Sequence, residues 1–162
     1  MKANRIGLAV LAGTLAMPIS ANGQDRQTTH IGNFLVTIEK DPFSDKDTVV
    51  ALALSGTDAL GLRCLESTLS LVIAGQGRTW TEGDSFNVKF RIDNKEIFDE
   101  TGLAISSELV EVQDDAGKIM DDMNGGRSVA IRVTGAVSFY TFTVPLRQPD
   151  KAIALVKMAC AK

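Results

Sequence analysis

Two cysteines are the residues whose chemistry this sequence indicates most directly. Cys64 and Cys160 are the only cysteines of the 162-residue chain, and they stand 96 positions apart. In an oxidising compartment an even number of cysteines favours a disulfide, and two cysteines leave a single pairing. We therefore predict a Cys64–Cys160 disulfide that joins the end of the chain to a strand in its first half.

Other reactive side chains are too few for the common catalytic and metal sites. His30 is the only histidine, and it lies in a polar stretch where the rigid setting of a general base is not expected. A zinc site and a nucleophile–histidine pair both lack partners. No glycine-rich loop opens a helix as phosphate-binding loops do. We therefore predict no catalytic residue, no metal and no cofactor.

Two acidic clusters leave one enzymatic alternative. Their members are Asp93, Glu96, Asp99 and Glu100, and, farther along, Asp114, Asp115, Asp121 and Asp122. Paired carboxylates can provide the acid and the base of glycoside hydrolysis. Solvated loops and helix faces are the commoner setting of such clusters, and we expect that setting here. A carboxylate-dependent envelope hydrolase stays the less favoured alternative.

Lys89, Arg91 and Asp93 form a candidate polar recognition patch. Alternate residues of a strand point to the same face, so these three side chains would lie side by side. In the simpler interpretation they form ion pairs with neighbouring strands, which contribute little to stability when exposed. We favour the ion pairs and keep the patch as the functional alternative.

Strands are the elements that must position these residues. Phe86 to Ile92 alternates apolar and polar side chains, which predicts a strand with one packed face. Thr48 to Leu54 is a continuous apolar run, which predicts a strand buried on both faces. Further strands are predicted over residues 34–38, 62–66 and 69–73, and a hairpin over residues 129–133 and 137–144.

Two helices complete the predicted fold. The first covers Asp114 to Met123 and stops at a glycine pair. The second begins near Pro149, which suits a first helical turn, and carries Cys160 on its buried face. We predict an α+β domain of mostly antiparallel β structure, either sandwich-like or a curved sheet, with the C-terminal helix tied to the sheet by the disulfide.

The N-terminus has the three parts of a secretory signal. Lys2 and Arg5 are positive, residues 6–16 are apolar, and small residues follow. The apolar run is shorter than the roughly 18 residues that span a bilayer. We predict a signal peptide over residues 1–23, cleaved after Ala21 or after Gly23.

The remaining chain divides into a polar lead-in over residues 24–33 and a single β-rich domain over residues 34–162. We expect a bacterial protein exported to the periplasm or secreted. The formal net charge is −3, and loss of residues 1–23 leaves 15 basic against 20 acidic groups, a net charge of −5. This acidity disfavours nucleic acid as a partner. No later segment predicts stable membrane insertion.

Several short motifs occur in order along the chain: Leu62-Arg63-Cys64-Leu65-Glu66, Ser70-Leu71, Phe90-Arg91-Ile92-Asp93, Thr141-Phe142, Ala152-Ile153 and Ala159-Cys160. With these motifs the chain resembles the type VI secretion-associated VasI family of small exported proteins. The resemblance covers residues 34–161. It implies pairing of the two cysteines and an envelope or secretion accessory role without catalysis. The chain departs from the family at Ile97-Phe98, where a tryptophan is common, and at Arg147-Gln148-Pro149, where a glycine often precedes the last helix.

The sequence thus predicts a non-catalytic exported accessory or interaction protein whose partner is another envelope or secreted protein. A small binder or inhibitor of an extracytoplasmic enzyme or ligand is the main alternative. The oligomeric state is left open.

Overall fold

Ten β-strands and two α-helices make up the described part of the chain. A computed structural model describes residues 26–41, 43, 46–75 and 79–161, and the predicted signal peptide lies outside them. The strands are β1 (Arg26–Ile31), β2 (Phe34–Lys40), β3 (Asp47–Ser55), β4 (Asp58–Leu65), β5 (Thr68–Gly75), β6 (Ser85–Ile92), β7 (Ile97–Ala104), β8 (Leu109–Val112), β9 (Ser128–Thr134) and β10 (Phe139–Pro145). The helices are α1 (Ala116–Met123) and α2 (Pro149–Cys160).

The described strands form a single curved sheet. Its strand order is β1-β2-β3-β4-β5-β8-β7-β6-β9-β10, and every described pairing of neighbours is antiparallel. The curvature brings β10 back to the other end of the order. Ser55 Oγ donates a hydrogen bond to the Thr143 carbonyl oxygen at 2.7 Å, and Asn33 Nδ2 donates to the Pro145 carbonyl oxygen at 2.6 Å. The predicted α+β, mostly antiparallel fold with a C-terminal helix is confirmed.

The core lies on the inner side of the sheet, where the helices pack. Strand β6 shows why the strands form: Val88, Phe90 and Ile92 alternate with polar residues, and all three are fully buried. Each fully buried apolar side chain of this size contributes about 1.5–3 kcal/mol. The helices add Ile119, Met120 and Met123 from α1, and Ala152, Ile153 and Val156 from α2.

The predicted disulfide is present. Cys64 lies on the inner face of β4 and is fully buried, and Cys160 is the last residue of α2. The two Cα atoms are 5.5 Å apart, within the range that a disulfide needs. Chain-entropy arguments give a loop of this length roughly 4–5 kcal/mol of stabilisation. The bridge fixes the C-terminal end of α2 against β4.

Both predicted helices are present, with one change of boundary. Pro149 occupies the first turn of α2, as predicted. Helix α1 begins at Ala116 rather than at Asp114, because Asp115 has a left-handed φ of 52° that a right-handed helix cannot contain.

The segment predicted as a polar lead-in contains a strand. Residues 26–31 form β1, which pairs with β2 at the edge of the sheet. Its residues Arg26 to His30 are exposed, so this strand needs no apolar side. The sequence showed no alternation there because neither face of β1 is buried, and His30 is an exposed residue of this strand.

Strand β7 was also not predicted, because two of its inward positions carry small residues. A Cβ atom at Gly102 would lie 2.6 Å from Val110 Cγ1 and 2.8 Å from Val88 Cγ2, so only glycine fits between the neighbouring strands. Ala104, two residues on, is buried as well. Close packing of strands, rather than a large apolar side chain, defines this part of the sheet.

Candidate functional site

The outer side of the sheet, opposite the helices, contains two regions of different chemistry. We call the outward residues of β3, β4 and β5 the apolar face: Val50, Leu52, Leu54, Ala59, Gly61, Val72 and Ala74. We call the outward residues around β6, β9 and β10 the basic face: Lys89, Arg91, Ala130, Arg132 and Thr141, with Ile97 from β7. Both regions follow from strand alternation, because the intervening residues are buried in the core.

The apolar face is continuous across three strands. Leu52 pairs with Gly61, and Gly61 pairs with Val72. A Cβ atom at position 61 would lie 2.4 Å from Val72 Cγ2 and 3.0 Å from Leu52 Cδ2, so these two side chains close over the glycine. In the next row Leu54 pairs with Ala59. Leu54 is the exposed residue of this face; Val50, Leu52 and Ala74 are partly buried, and Ala59, Gly61 and Val72 are buried.

One prediction about strand β3 is wrong. The run Thr48 to Leu54 is predicted to be buried on both faces. Val49, Ala51 and Ala53 are buried on the inner side, but Leu54 on the outer side is 57% exposed. The reason is that α1 and α2 both pack on the inner side, so neither helix covers this face.

An ion pair borders the apolar face. Arg63 on β4 and Glu111 on β8 are joined across β5. Arg63 Nε also donates to Ser70 Oγ at 3.1 Å, and Gln113 Nε2 donates to Glu111 at 3.0 Å. Burial lowers the pKa of the Arg63 guanidinium. Because the opposite charges of Arg63 and Glu111 neutralise each other, this ion pair adds no net charge beside the apolar face.

The basic face is a shallow depression with a small residue at its centre. Arg91 on β6 pairs with Ala130 on β9, and Lys89 pairs with Arg132. Arg132 in turn pairs with Thr141 on β10. Because the Ala130 side chain is short and its neighbours are long, these residues enclose a depression of about 220 Å³.

The three cations of the basic face differ in their partners. Lys89 forms an ion pair with Asp99 on β7. Hydrogen bonds from Lys89 and Asn87 lower the pKa of the Asp99 carboxyl. Arg132 Nε donates to Thr141 Oγ1 at 3.2 Å, and its guanidinium lies 5.3 Å from the centre of the Phe139 ring. Within the described residues, neither Arg91 nor Arg132 forms an ion pair with a carboxylate.

Asp93, the third residue of the predicted patch, has a separate role in the fold. It follows β6 with a left-handed φ of 49°. Its carboxylate accepts hydrogen bonds from the backbone N–H groups of Arg127 and Ser128, at 3.2 and 2.9 Å, and from Ser128 Oγ at 3.2 Å. These hydrogen bonds, led by the one from Arg127, lower the pKa of the Asp93 carboxyl. The carboxylate therefore anchors the end of β6 to the start of β9.

The structure thus brings Lys89 and Arg91 together with Arg132, which sequence reasoning did not select. The alternation of Val129, Ile131 and Val133 does place Arg132 on an outer face. The pairing of β6 with β9, strands 35 or more residues apart in the chain, carries no local signal. Long-range strand order is the information that was missing.

Five of the eight residues of the predicted acidic clusters line a groove between β7 and α1, and Asp93, Asp114 and Asp121 do not. This groove of about 210 Å³ is lined by Glu96, Asp99, Glu100, Asp115 and Asp122, with Lys118, and Ile97 separates it from the basic face. Burial raises the pKa of Glu100, and Asp115 and Asp114 raise it further. In the described part of the chain no group of three histidine, cysteine or acidic residues is arranged to hold a metal ion.

Trp80 and Phe98 both lie against the core. Trp80 stacks on Tyr140 at a centroid distance of 6.2 Å and contacts the edge of Phe86 at 6.0 Å. Phe98 is buried, with Lys118 Nζ 5.3 Å from its ring centre.

Comparisons with known proteins give no relative for this fold and these surfaces. No family model matches the chain, and neither a curated protein nor a solved structure matches it. The described helices include none with the length and apolar character to cross a bilayer. The fold and its surfaces define a β-rich domain closed by a disulfide, with one apolar and one basic outer region.

Proposed function

We propose that this protein is a non-catalytic exported interaction protein that binds another extracytoplasmic protein through its apolar face. The observation that carries the proposal is the outward apolar surface of β3, β4 and β5. An antiparallel sheet with one wet face normally alternates apolar with polar residues. These three strands instead place apolar side chains on the side away from both helices, where Leu54 is 57% exposed, Leu52 is partly buried and Val72 is buried.

The form of the apolar face supports a protein as the occupant. Small-molecule sites are concave and surround their ligand. The apolar face instead extends over three adjacent strands, and its bordering charges, Arg63 and Glu111, neutralise each other. Exposed apolar surface can mark an interaction site, and the centres of protein interfaces are apolar and poor in charge. Here Leu54 is exposed, and Val50, Leu52 and Ala74 are partly exposed. We infer a folded partner that presents an apolar, uncharged surface.

The disulfide supports the proposed location of this interaction. Disulfides form and persist in secreted and envelope proteins and are rare in the cytosol, and the Cys64–Cys160 bridge is present. The VasI resemblance adds the setting: we propose an accessory role beside a type VI secretion apparatus, with an envelope protein as the partner.

Site-specific photocrosslinking tests the proposal. A photoreactive residue replaces Leu54 in the full chain, expressed in its own host, and replaces the exposed Lys151 of α2 in the control. We expect an adduct from position 54 that mass spectrometry identifies as an extracytoplasmic protein, and no such adduct from position 151. Leu52→Asp in the same chain should remove the adduct, because a charge opposes burial of the face.

Three results decide the outcome. A secretion-apparatus protein in the adduct supports the proposed setting as well as the interaction. Equal labelling from positions 54 and 151 overturns the proposal. An adduct of two copies of this chain also overturns it, since the face then serves self-association.

A further inference from the structure

We propose that the basic face is a second binding site, which takes a mixed-charge segment of a protein with one carboxylate seated over Ala130 between Arg91 and Arg132. This site lies on other strands than the apolar face, so it stands or fails separately from the proposed function.

The register of the strands sets the geometry of the site. Arg91 is directly opposite Ala130, and Arg132 follows Ala130 by two residues on the same face of β9. Directly opposite and same-face neighbours in a sheet lie within roughly 5–8 Å of each other. Both guanidinium groups can therefore reach a group placed over the short Ala130 side chain, and the depression of about 220 Å³ leaves room for a carboxylate there.

The charges of the site favour a carboxylate. Lys89 is held by Asp99, whereas Arg91 and Arg132 form no ion pair with a carboxylate among the described residues. The planar guanidinium donates two parallel hydrogen bonds to a carboxylate, which makes arginine the preferred partner of such groups. Arg132 Nε donates to Thr141 Oγ1 and its guanidinium lies over the Phe139 ring, on the side away from Ala130, so the guanidinium must turn toward Ala130 to contact the carboxylate.

The neighbouring groove excludes a polyanion and favours a basic group nearby. Past Ile97 lie the carboxylates of Glu96, Glu100 and Asp115. A long run of negative charge over Ala130 would continue toward these groups and be repelled. A segment with a carboxylate at Ala130 and a cation near the groove is complementary to both depressions, with an apolar residue over Ile97.

Sheet dimensions set the spacing of the segment. Neighbouring strands lie about 4.8 Å apart, so β9 and β7, which flank β6, are about 10 Å apart. An extended chain advances about 3.3 Å per residue, and alternate side chains share a face. An acidic residue, an apolar residue two positions on and a basic residue four positions on would thus span about 13 Å and face the sheet together.

The test uses the mature protein and the peptide N-acetyl-Glu-Ala-Leu-Ala-Lys-amide, followed by NMR titration of backbone amides. We expect shifts centred on Ala130 and Arg91, and a Kd at least tenfold weaker when the peptide glutamate is replaced by glutamine. Arg91→Ala and Arg132→Ala should each weaken binding about tenfold. Arg26→Ala, which removes an exposed guanidinium from β1, is the matched control and should leave the Kd unchanged.

Ala130→Leu separates a fitted site from general attraction of opposite charges, because it fills the depression and keeps every charge. We expect it to abolish the shifts while the spectrum stays dispersed; if this variant does not fold, the arginine variants still decide. Unchanged binding by Ala130→Leu or by both arginine variants overturns the proposal. Tighter binding of octaglutamate than of the mixed-charge peptide overturns it too, since a polyanion then fits better.

Discussion

The apolar face and the basic face belong to one sheet and share one inner core, yet their outer residues differ completely. Strand β3 reads Val-Val-Ala-Leu-Ala-Leu over residues 49–54, with apolar residues on both sides, whereas β6 alternates strictly from Phe86 to Ile92. The inward residues of both strands are buried in the same core, so the difference lies in the outward residues. The difference shows that one sheet can present two outer surfaces of different chemistry.

The disulfide gives the largest expected difference between the two regions. It joins α2 to β4, beneath the apolar face, and β6, β9 and β10 lie outside that connection. Cys160→Ser should lower the free energy of unfolding by about 2–5 kcal/mol, because the unfolded chain loses its cross-link. Chemical denaturation measures the total loss.

Hydrogen exchange locates this loss. We expect faster exchange of amides in α2, β4 and β5 than in β6 and β9, because the bridge constrains the former directly. Reduction of the wild-type protein should reproduce the pattern. Uniform acceleration over the whole sheet would show that the two regions unfold as a single unit.

A second contrast concerns the ion pairs of the two regions. The Arg63–Glu111 side chains are 19% and 11% exposed, and those of Lys89–Asp99 are 39% and 51% exposed. Arg63→Ala should destabilise the fold by about 1–3 kcal/mol, because it leaves the Glu111 carboxylate and Ser70 short of a partner in a partly buried site. Lys89→Ala should produce no measurable change, because water replaces an exposed partner.

Double-mutant cycles check this contrast, with Glu111→Ala and Asp99→Ala as the second changes. We expect a coupling energy for the Arg63 pair and none above error for the Lys89 pair. Equal coupling in the two pairs would mean that burial does not distinguish the two regions.

How far the sequence predicts the fold depends on whether a strand buries one side. Strand β6 was predicted within one residue of its bounds, because its inward residues are large and its outward residues polar. Strand β1 lacks a buried face and β7 uses Gly102 and Ala104 inward, so neither shows the period of two. Local sequence patterns indicate which residues are buried. They do not predict a strand that is held by pairing at the sheet edge or by close approach of neighbouring strands.

The candidate site was predictable to the same extent. Lys89 and Arg91 were found because they share a strand, and Cys64 and Cys160 because their chemistry leaves one pairing. Arg132 was missed because it enters through the pairing of β6 with β9. Spacing alone places Asp93 in the patch, and only the backbone turn at φ 49° shows that its carboxylate faces Arg127 and Ser128.

The smallest expected effect is a difference in acid sensitivity at the end of the basic face. The pKa of the Asp93 carboxyl is lower in the folded protein than its ordinary value, chiefly through the Arg127 N–H. The folded state therefore binds a proton at Asp93 less readily than the unfolded state does. Asp93 adds stability above the unfolded pKa of about 3.9, and this contribution is lost as the pH falls through the folded pKa. Asp93→Asn keeps a residue that tolerates a left-handed φ and removes the titrating group.

Thermal unfolding from pH 6 to pH 2.5 measures this effect. We expect Asp93→Asn to be less stable than wild type at pH 6 and to lose less stability on acidification, so that the two curves converge at low pH. Glu82→Gln, at an exposed loop position, is the control and should run parallel to wild type. Parallel curves for Asp93→Asn would mean that its hydrogen bonds to Arg127 and Ser128 hold the turn without regard to charge, and the carboxylate would then act only through its shape.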